Sequence, residues 1–211
     1  MSFANILNKK NRALLRELVV TDFKLRYQGS VLGYLWSLLK PLFLFAILYV
    51  VFGRFLKLGA SIEHYPIYLL LGVVLWGFFA EATQQGMIAI VGRGDLIRKI
   101  SFPKYIMVIS GTISALINLF LNLVVIAFFM YINHVDIHVS ALYFPLILIE
   151  LYVFALALGF FLSASYVKFR DINYIWEVGL QAAFYATPVL YPVGLVLSQN
   201  YTAGQILLLN P

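Results

Sequence analysis

The chain has 211 residues, of which 63% are apolar and only 11% charged, with a formal net charge of +6. A soluble domain carries about a quarter charged residues, so the excess of apolar surface calls for lipid as its solvent. Cysteine is absent, which excludes a disulfide framework, a thiolate metal site and a cysteine nucleophile.

The first 30 residues are basic and amphipathic, and the first long apolar run follows them, unlike the order in a cleavable signal peptide. Within them, Leu7–Arg26 reads as an interfacial helix. Leu14, Leu15, Leu18, Val19 and Phe23 form one apolar stripe, while Lys10, Glu17 and Lys24, seven apart, occupy the other face. Such a helix lies in the headgroup plane, either as a simple anchor or as a docking surface for a cytoplasmic subunit. Gln28-Gly29-Ser30 breaks it, and Gly33 is expected to allow close packing.

A membrane-spanning helix needs about 20 mostly apolar residues. Val31–Leu56, Tyr65–Val91, Tyr105–Ile132 and Leu142–Val167 satisfy this, and a shorter fifth run, Ile175–Leu190, contains Glu177 and Gln181. Lys40-Pro41 places a charge and a helix breaker in the first span. The proline frees a backbone carbonyl, which needs protein or water as partner. Either the span kinks there beside a cavity, or it begins at Pro41 with Lys40 at the interface.

Orientation follows from the basic residues of the connections. Lys9, Lys10, Arg12, Arg16, Lys24 and Arg26 precede the first span; Arg93, Arg98, Lys99 and Lys104 lie between the second and third; Lys168 and Arg170 lie between the fourth and fifth. The opposite side has Arg54 and Lys57. The N-terminus is therefore expected in the cytoplasm, with the basic charge facing anionic lipid or a cytoplasmic partner rather than nucleic acid.

The loop Gly92–Lys104 suits a short amphipathic helix. Asp95 can cap it, Leu96, Ile97 and Ile100 form its apolar face, Arg98 and Lys99 stand beside them, and Pro103 ends it. It either transmits force from a motor subunit or is an ordinary basic loop that sets topology.

Ionisable residues within spans cost about 2.5–3.5 kcal/mol each on insertion scales, which makes them functional candidates. Glu81 lies near the middle of the second span, followed by Thr83, Gln84 and Gln85; Glu150 lies in the outer half of the fourth; Asn118 and Asn122 are one turn apart on the third. Interhelical hydrogen bonding, a polar lining and a proton relay all use such residues. Tyr34, Trp36, Trp76, Phe79, Tyr185 and Tyr191 belong either to interfacial aromatic belts or to a conduit whose rings pack on sugar faces. The chain has no phosphate loop of the G-x-x-x-x-G-K-[ST] type and no H-E-x-x-H, and His64, His134 and His138 form no metal-like cluster. The chain is thus not expected to hydrolyse ATP by itself, and no catalytic or metal site is expected in it. Beyond Thr187 the apolar stretches are short and broken by Pro188, Pro192, Gly194 and Gly204, as in a re-entrant hairpin covered by protein. Asn200-Tyr201-Thr202 matches the glycosylation acceptor pattern, one that is common by chance. No repeat or linker divides the chain, so 1–211 is one domain: an interfacial helix in 1–30, five spans in 31–190 and an external re-entrant segment in 191–211.

Four segments resemble one family in order and spacing. Asp22-Phe23-Lys24-Leu25-Arg26-Tyr27-Gln28-Gly29-Ser30 through Gly33-Tyr34-Leu35-Trp36 to Lys40-Pro41 looks like the start of the first span of polysaccharide ABC exporter permeases, the ABC-2 or type V class. Asp95-Leu96-Ile97-Arg98-Lys99-Ile100-Ser101-Phe102-Pro103 resembles their cytoplasmic coupling segment. Tyr166–Ile172 with Thr187–Pro192 is similar to their fourth-to-fifth-span region, and Leu209-Asn210-Pro211 to the motif before their last span. Lys40 departs from the Asn common in the family.

The resemblance implies an all-α, ABC-2 type transmembrane domain in a bacterial or archaeal plasma membrane. It implies a sixth span, expected to be missing after Pro211, and export of O-antigen, capsule or teichoic acid. Two copies would pair around a channel, each with a separate ATPase subunit that binds ATP and Mg. Glu17 on the N-terminal helix and Asp95, Leu96, Ile97, Arg98, Lys99 and Ile100 would face that ATPase. Tyr34, Trp36, Trp76 and Tyr185, with Phe79, Glu81 and Tyr191, are candidates for the glycan path. By charge and depth, Lys24, Arg26 and Lys40 are candidates to meet the pyrophosphate of a lipid-linked glycan. Two other readings stand beside this one: a proton-coupled transporter using Glu81 and Glu150, and a membrane enzyme acting on lipid-linked sugar.

Overall fold

The computed structural model describes residues 9–59, 62–99, 101–136, 138–192 and 194. The expectations for Leu7, Ile100, the acceptor pattern at Asn200 and the segment ending at Pro211 lie outside them. The described residues fold as helices in the order α1 (Lys9–Tyr27), α2 (Trp36–Leu48), α3 (Tyr65–Ile88), α4 (Gly94–Lys99), α5 (Tyr105–Ile132), α6 (Phe144–Lys168) and α7 (Ile172–Ala186). A 3-10 turn, Gly33–Leu35, leads into α2, and a π-helical stretch, Tyr49–Phe55, extends it. Among the described residues, four helical segments are long and apolar enough to cross a membrane: Gly33–Phe55, Tyr65–Ile88, Tyr105–Ile132 and Val139–Lys168. The chain is a multi-pass membrane protein.

α3 is the central helix, packed on α5 and α6 and also touching α2 and α7. Its residues Leu70, Val74, Phe78 and Ala82, spaced by four, present one face. That face meets Ala115, Leu119 and Ile126 of α5 and Ala155 of α6. Small residues let these backbones approach in the absence of a hydrophobic drive between helices in lipid. The closest approach is at Gly86 of α3 and Gly159 of α6: a Cβ built on Gly86 would stand 2.9 Å from the Gly159 Cα. Large side chains such as Phe43 and Ile47 of α2 and Phe120, Val124 and Phe128 of α5 are exposed on the outside of the bundle.

α1 follows its stripe. Leu18 is buried, Leu14, Leu15, Val19 and Phe23 are half-buried, and Lys10, Glu17 and Lys24 are exposed. The apolar side packs on α5. Gly29 ends the helix region with φ +77°, a left-handed conformation that glycine adopts without strain. Gly33 has φ +51° and nothing within 4 Å of an added Cβ, so it serves the turn into α2 rather than the close packing expected of it.

The fifth expected span appears as α7, which starts at Ile172 and ends at Ala186. At 15 residues it is about 22 Å long, short of the roughly 30 Å bilayer core. It stops because Thr187, held extended (φ −83°, ψ 140°), precedes Pro188, whose ring disfavours helical backbone at the preceding residue. Asp95 lies in the first turn of α4, where a carboxylate faces the positive end of the helix, and not at the cap.

Gly86→Ala is expected to separate α3 from α6 and lower the stability of the protein by about 1–3 kcal/mol. Thermal unfolding in detergent checks this, with Gly77→Ala, which meets nothing within 4 Å, expected to leave stability unchanged or slightly raised.

Candidate functional site

Asp22 and Arg26 are one turn apart on α1 and therefore share a face. Arg26 reaches Glu81 of α3 and donates from Nη1 to Oε1, forming an ion pair. The two side chains are 20% and 28% exposed, which sets this pair apart from a solvated surface pair. Asn118 of α5 donates a second hydrogen bond to the same carboxylate oxygen, 2.9 Å from Nδ2. Glu81 is seven residues from the end of α3, about 10 Å inside it. At that depth a carboxylate is costly unless paired, and α1 and α5 supply the partners.

Asp22 makes the second tie. It accepts from Arg93 Nη2 in an ion pair. The other guanidinium nitrogen of Arg93 donates to Ser110 Oγ at 3.0 Å and to the Met107 carbonyl at 3.4 Å, both on α5. Arg93 immediately precedes α4, so α1 is clamped to the bundle core through Glu81 and to the root of α4 through Arg93. On α4 itself, Leu96 and Ile97 pack against Ala89, Met107 and Val108. Asp95, Arg98 and Lys99 are exposed beside them.

Pro41 sits inside α2 and has no N–H to give to the carbonyl of Ser37. Asn122 of α5 fills that gap: its Nδ2 donates to the Ser37 carbonyl at 3.1 Å and to the Asn118 carbonyl at 2.8 Å. The helix begins at Trp36 and passes through Lys40-Pro41. Lys40 and Pro41 line a cavity of about 650 Å³ between α1, α2, α3 and α5. Arg26, Trp36, Glu81, Gln84, Gln85, Asn118 and Asn122 share its wall.

A second cavity, of about 360 Å³, lies between α3, α6 and the turn after α7. Trp76, Phe79, Phe154 and Glu150 line it. Trp76 packs on Phe79 and Phe184 with ring centroids 5.7 and 5.8 Å away. The residues expected along one path are thus distributed. Trp36 and Glu81 share the polar cavity with Arg26 and Lys40, while Trp76 and Phe79 line the apolar one. Tyr34 stacks on Phe23 of α1, centroids 5.0 Å apart, and lines neither. Tyr185 is exposed, and Tyr191 donates to the carbonyls of Tyr185 and Ala186 at 3.1 and 3.2 Å, closing the turn after α7. Lys24 points away, exposed on the outer face of α1.

Residues 13–202 match the model of the ABC-2 type transporter family. The chain belongs to this family. It is 34% identical over 206 residues, 95% of this chain and 76% of the relative, to the O-antigen export system permease protein RfbA of Myxococcus xanthus. It is 28% identical over 197 residues, 91% of this chain and 75% of the relative, to a protein of the same name from Klebsiella pneumoniae.

In this ABC-2 family member, sequence reasoning missed Asp22 and Arg93 as structural residues. The signal was present: an arginine at the root of a short helix, and an acid one turn from an arginine on an amphipathic helix. It also left open that the counter-ion of Glu81 comes from outside the spans.

Asn122→Ala is expected to leave the Ser37 carbonyl unpaired and to cost about 1–3 kcal/mol. Adding Pro41→Ala restores an N–H for that carbonyl. Thermal unfolding of both single variants and the double variant is expected to show the double variant recovering a large part of the loss.

Proposed function

We propose that the chain is the membrane-spanning subunit of an ATP-driven exporter. Its cargo is lipid-linked polysaccharide, of the O-antigen, capsule or teichoic acid type, carried outward from the cytoplasm. The observation that carries this reading is the polar cavity. Two cations and four side-chain amides line one cavity beside Trp36, between helices long enough to span, in a chain whose relatives are named O-antigen export permeases. An apolar cargo would not reward the cost of placing them there. A glycan offers hydroxyls to the amides and flat C–H faces to Trp36, and its diphosphate linker offers charge to Arg26 and Lys40.

The work is mechanical. ATP and Mg belong to a separate ATPase subunit in the cytoplasm of a bacterial or archaeal cell, below the plasma membrane. Two surfaces support docking of that subunit: the outward face of α1 with Lys10, Glu17 and Lys24, and α4 with Asp95, Arg98 and Lys99. Both stand at the end of the bundle where the basic connections gather. A push on α4 would reach Arg93, then Asp22, then α1, and so Arg26 in the cavity wall. A second copy of the chain would complete the channel, to which Tyr34, Trp76, Phe79, Tyr185 and Tyr191 would contribute. The proton-coupled alternative is less well supported, because Glu81 is already held by Arg26 and Asn118 and Glu150 lines a different cavity.

The test uses vesicles containing the complete protein and its ATPase. Lipid-linked glycan is expected to cross with ATP and to stop when the ATPase is inactivated. Movement driven by an imposed proton gradient without ATP would overturn the proposal. With protein level held constant, Trp36→Ala is expected to reduce export several-fold; unchanged export would remove Trp36 from the path.

A further inference from the structure

The guanidinium of Arg26 is only half used. Nη1 pairs with Glu81, whereas Nη2 is buried and has no hydrogen-bond partner. Lys40 lines the same cavity, and among the described residues it has no ion-pair partner. Glu81 supplies the acid of the cavity wall, so the wall carries two positive charges and one negative one. Around it, Gln84 and Gln85 can each turn an N–H toward an anion, and Asn118 brings the N–H that now meets Glu81. Arginine binds a phosphate best with two parallel N–H groups, and a lysine adds a movable point charge.

From this arrangement we infer that Glu81 is a built-in counter-ion that occupies an anion site. A phosphate or diphosphate group entering the cavity displaces the Glu81 carboxylate from Arg26 and is held between Arg26 and Lys40. With Glu81 set aside, the wall offers two positive charges, which matches a diphosphate. The exchange frees α1 from α3 while Asp22 still holds Arg93 at the root of α4. Arrival of the anion is thereby made known at the surface facing the ATPase. The inference rests on the exporter reading for its physiological anion, the diphosphate of a lipid-linked glycan, but the anion site itself does not need transport to be tested.

The experiment is equilibrium binding of radiolabelled farnesyl diphosphate and of inorganic pyrophosphate to the complete chain in phosphatidylcholine nanodiscs, without nucleotide. Glu81→Gln keeps the shape and removes the competing charge, and it is expected to tighten diphosphate binding roughly tenfold or more. Lys40→Gln touches no ion pair and is expected to weaken binding by a similar factor with no change in thermal stability. Tightening for farnesyl diphosphate alone assigns a lipid headgroup; tightening for both probes assigns a soluble anion as well. Binding unchanged or weaker in Glu81→Gln, with Lys40→Gln at the wild-type value, overturns the inference. Because no ATP is present, failure of ATP-driven export would leave a positive result standing, and success of export would not rescue a negative one.

Discussion

A carboxylate about 10 Å inside a spanning helix needs a counter-charge, and the position of α1 follows from that need. Glu81 stands on the central helix, which packs on α2, α5, α6 and α7. Its partner, Arg26, comes from a helix that by composition belongs in the headgroup plane. An amphipathic helix held only by lipid could slide and rotate. This one is fixed one turn apart at two points, by Glu81 through Arg26 and by Arg93 through Asp22. Each partly buried pair, if broken on one side, leaves a charge with little solvent to receive it. The interfacial helix is thereby part of the bundle, and what moves one moves the other.

The polar cavity depends on the same logic applied to the backbone. Pro41 leaves a carbonyl of α2 without its helical donor, and Asn122 of α5 supplies one. That bond sets α2 beside α5, and Asn118, one turn earlier on α5, reaches Glu81. Two asparagines one turn apart therefore serve two defects in two other helices. The space enclosed by α1, α2, α3 and α5 is lined with groups that lipid would not tolerate.

The spans were legible in the sequence because a membrane helix is specified by local composition: the four long apolar runs need no knowledge of their neighbours. The stripe of α1 was legible for the same reason, since Leu14, Leu18 and Phe23 are placed by helical period alone. The ion pair of Arg26 with Glu81 was not, because 55 residues separate the two and nothing local marks which cation meets which acid. The aromatic residues were legible only as a class. Trp36 and Trp76 look alike in sequence, and the packing of α3 puts them in different cavities. Gly33 was read for packing, whereas its backbone angle serves a turn, a distinction that composition does not hold. The shortness of α7 was half visible, in Pro188 and in the polar Glu177 and Gln181, although its start lay three residues earlier than expected.

The Arg26–Glu81 pair fixes α1 to the bundle. Charge reversal measures it most directly. Arg26→Glu, Glu81→Arg and the double reversal would be compared by thermal unfolding of the complete protein in nanodiscs. Each single reversal, which sets two like charges together, is expected to lower the melting temperature markedly, and the double reversal to recover most of the loss. A double variant no more stable than the worse of the two single variants would contradict that role of the pair.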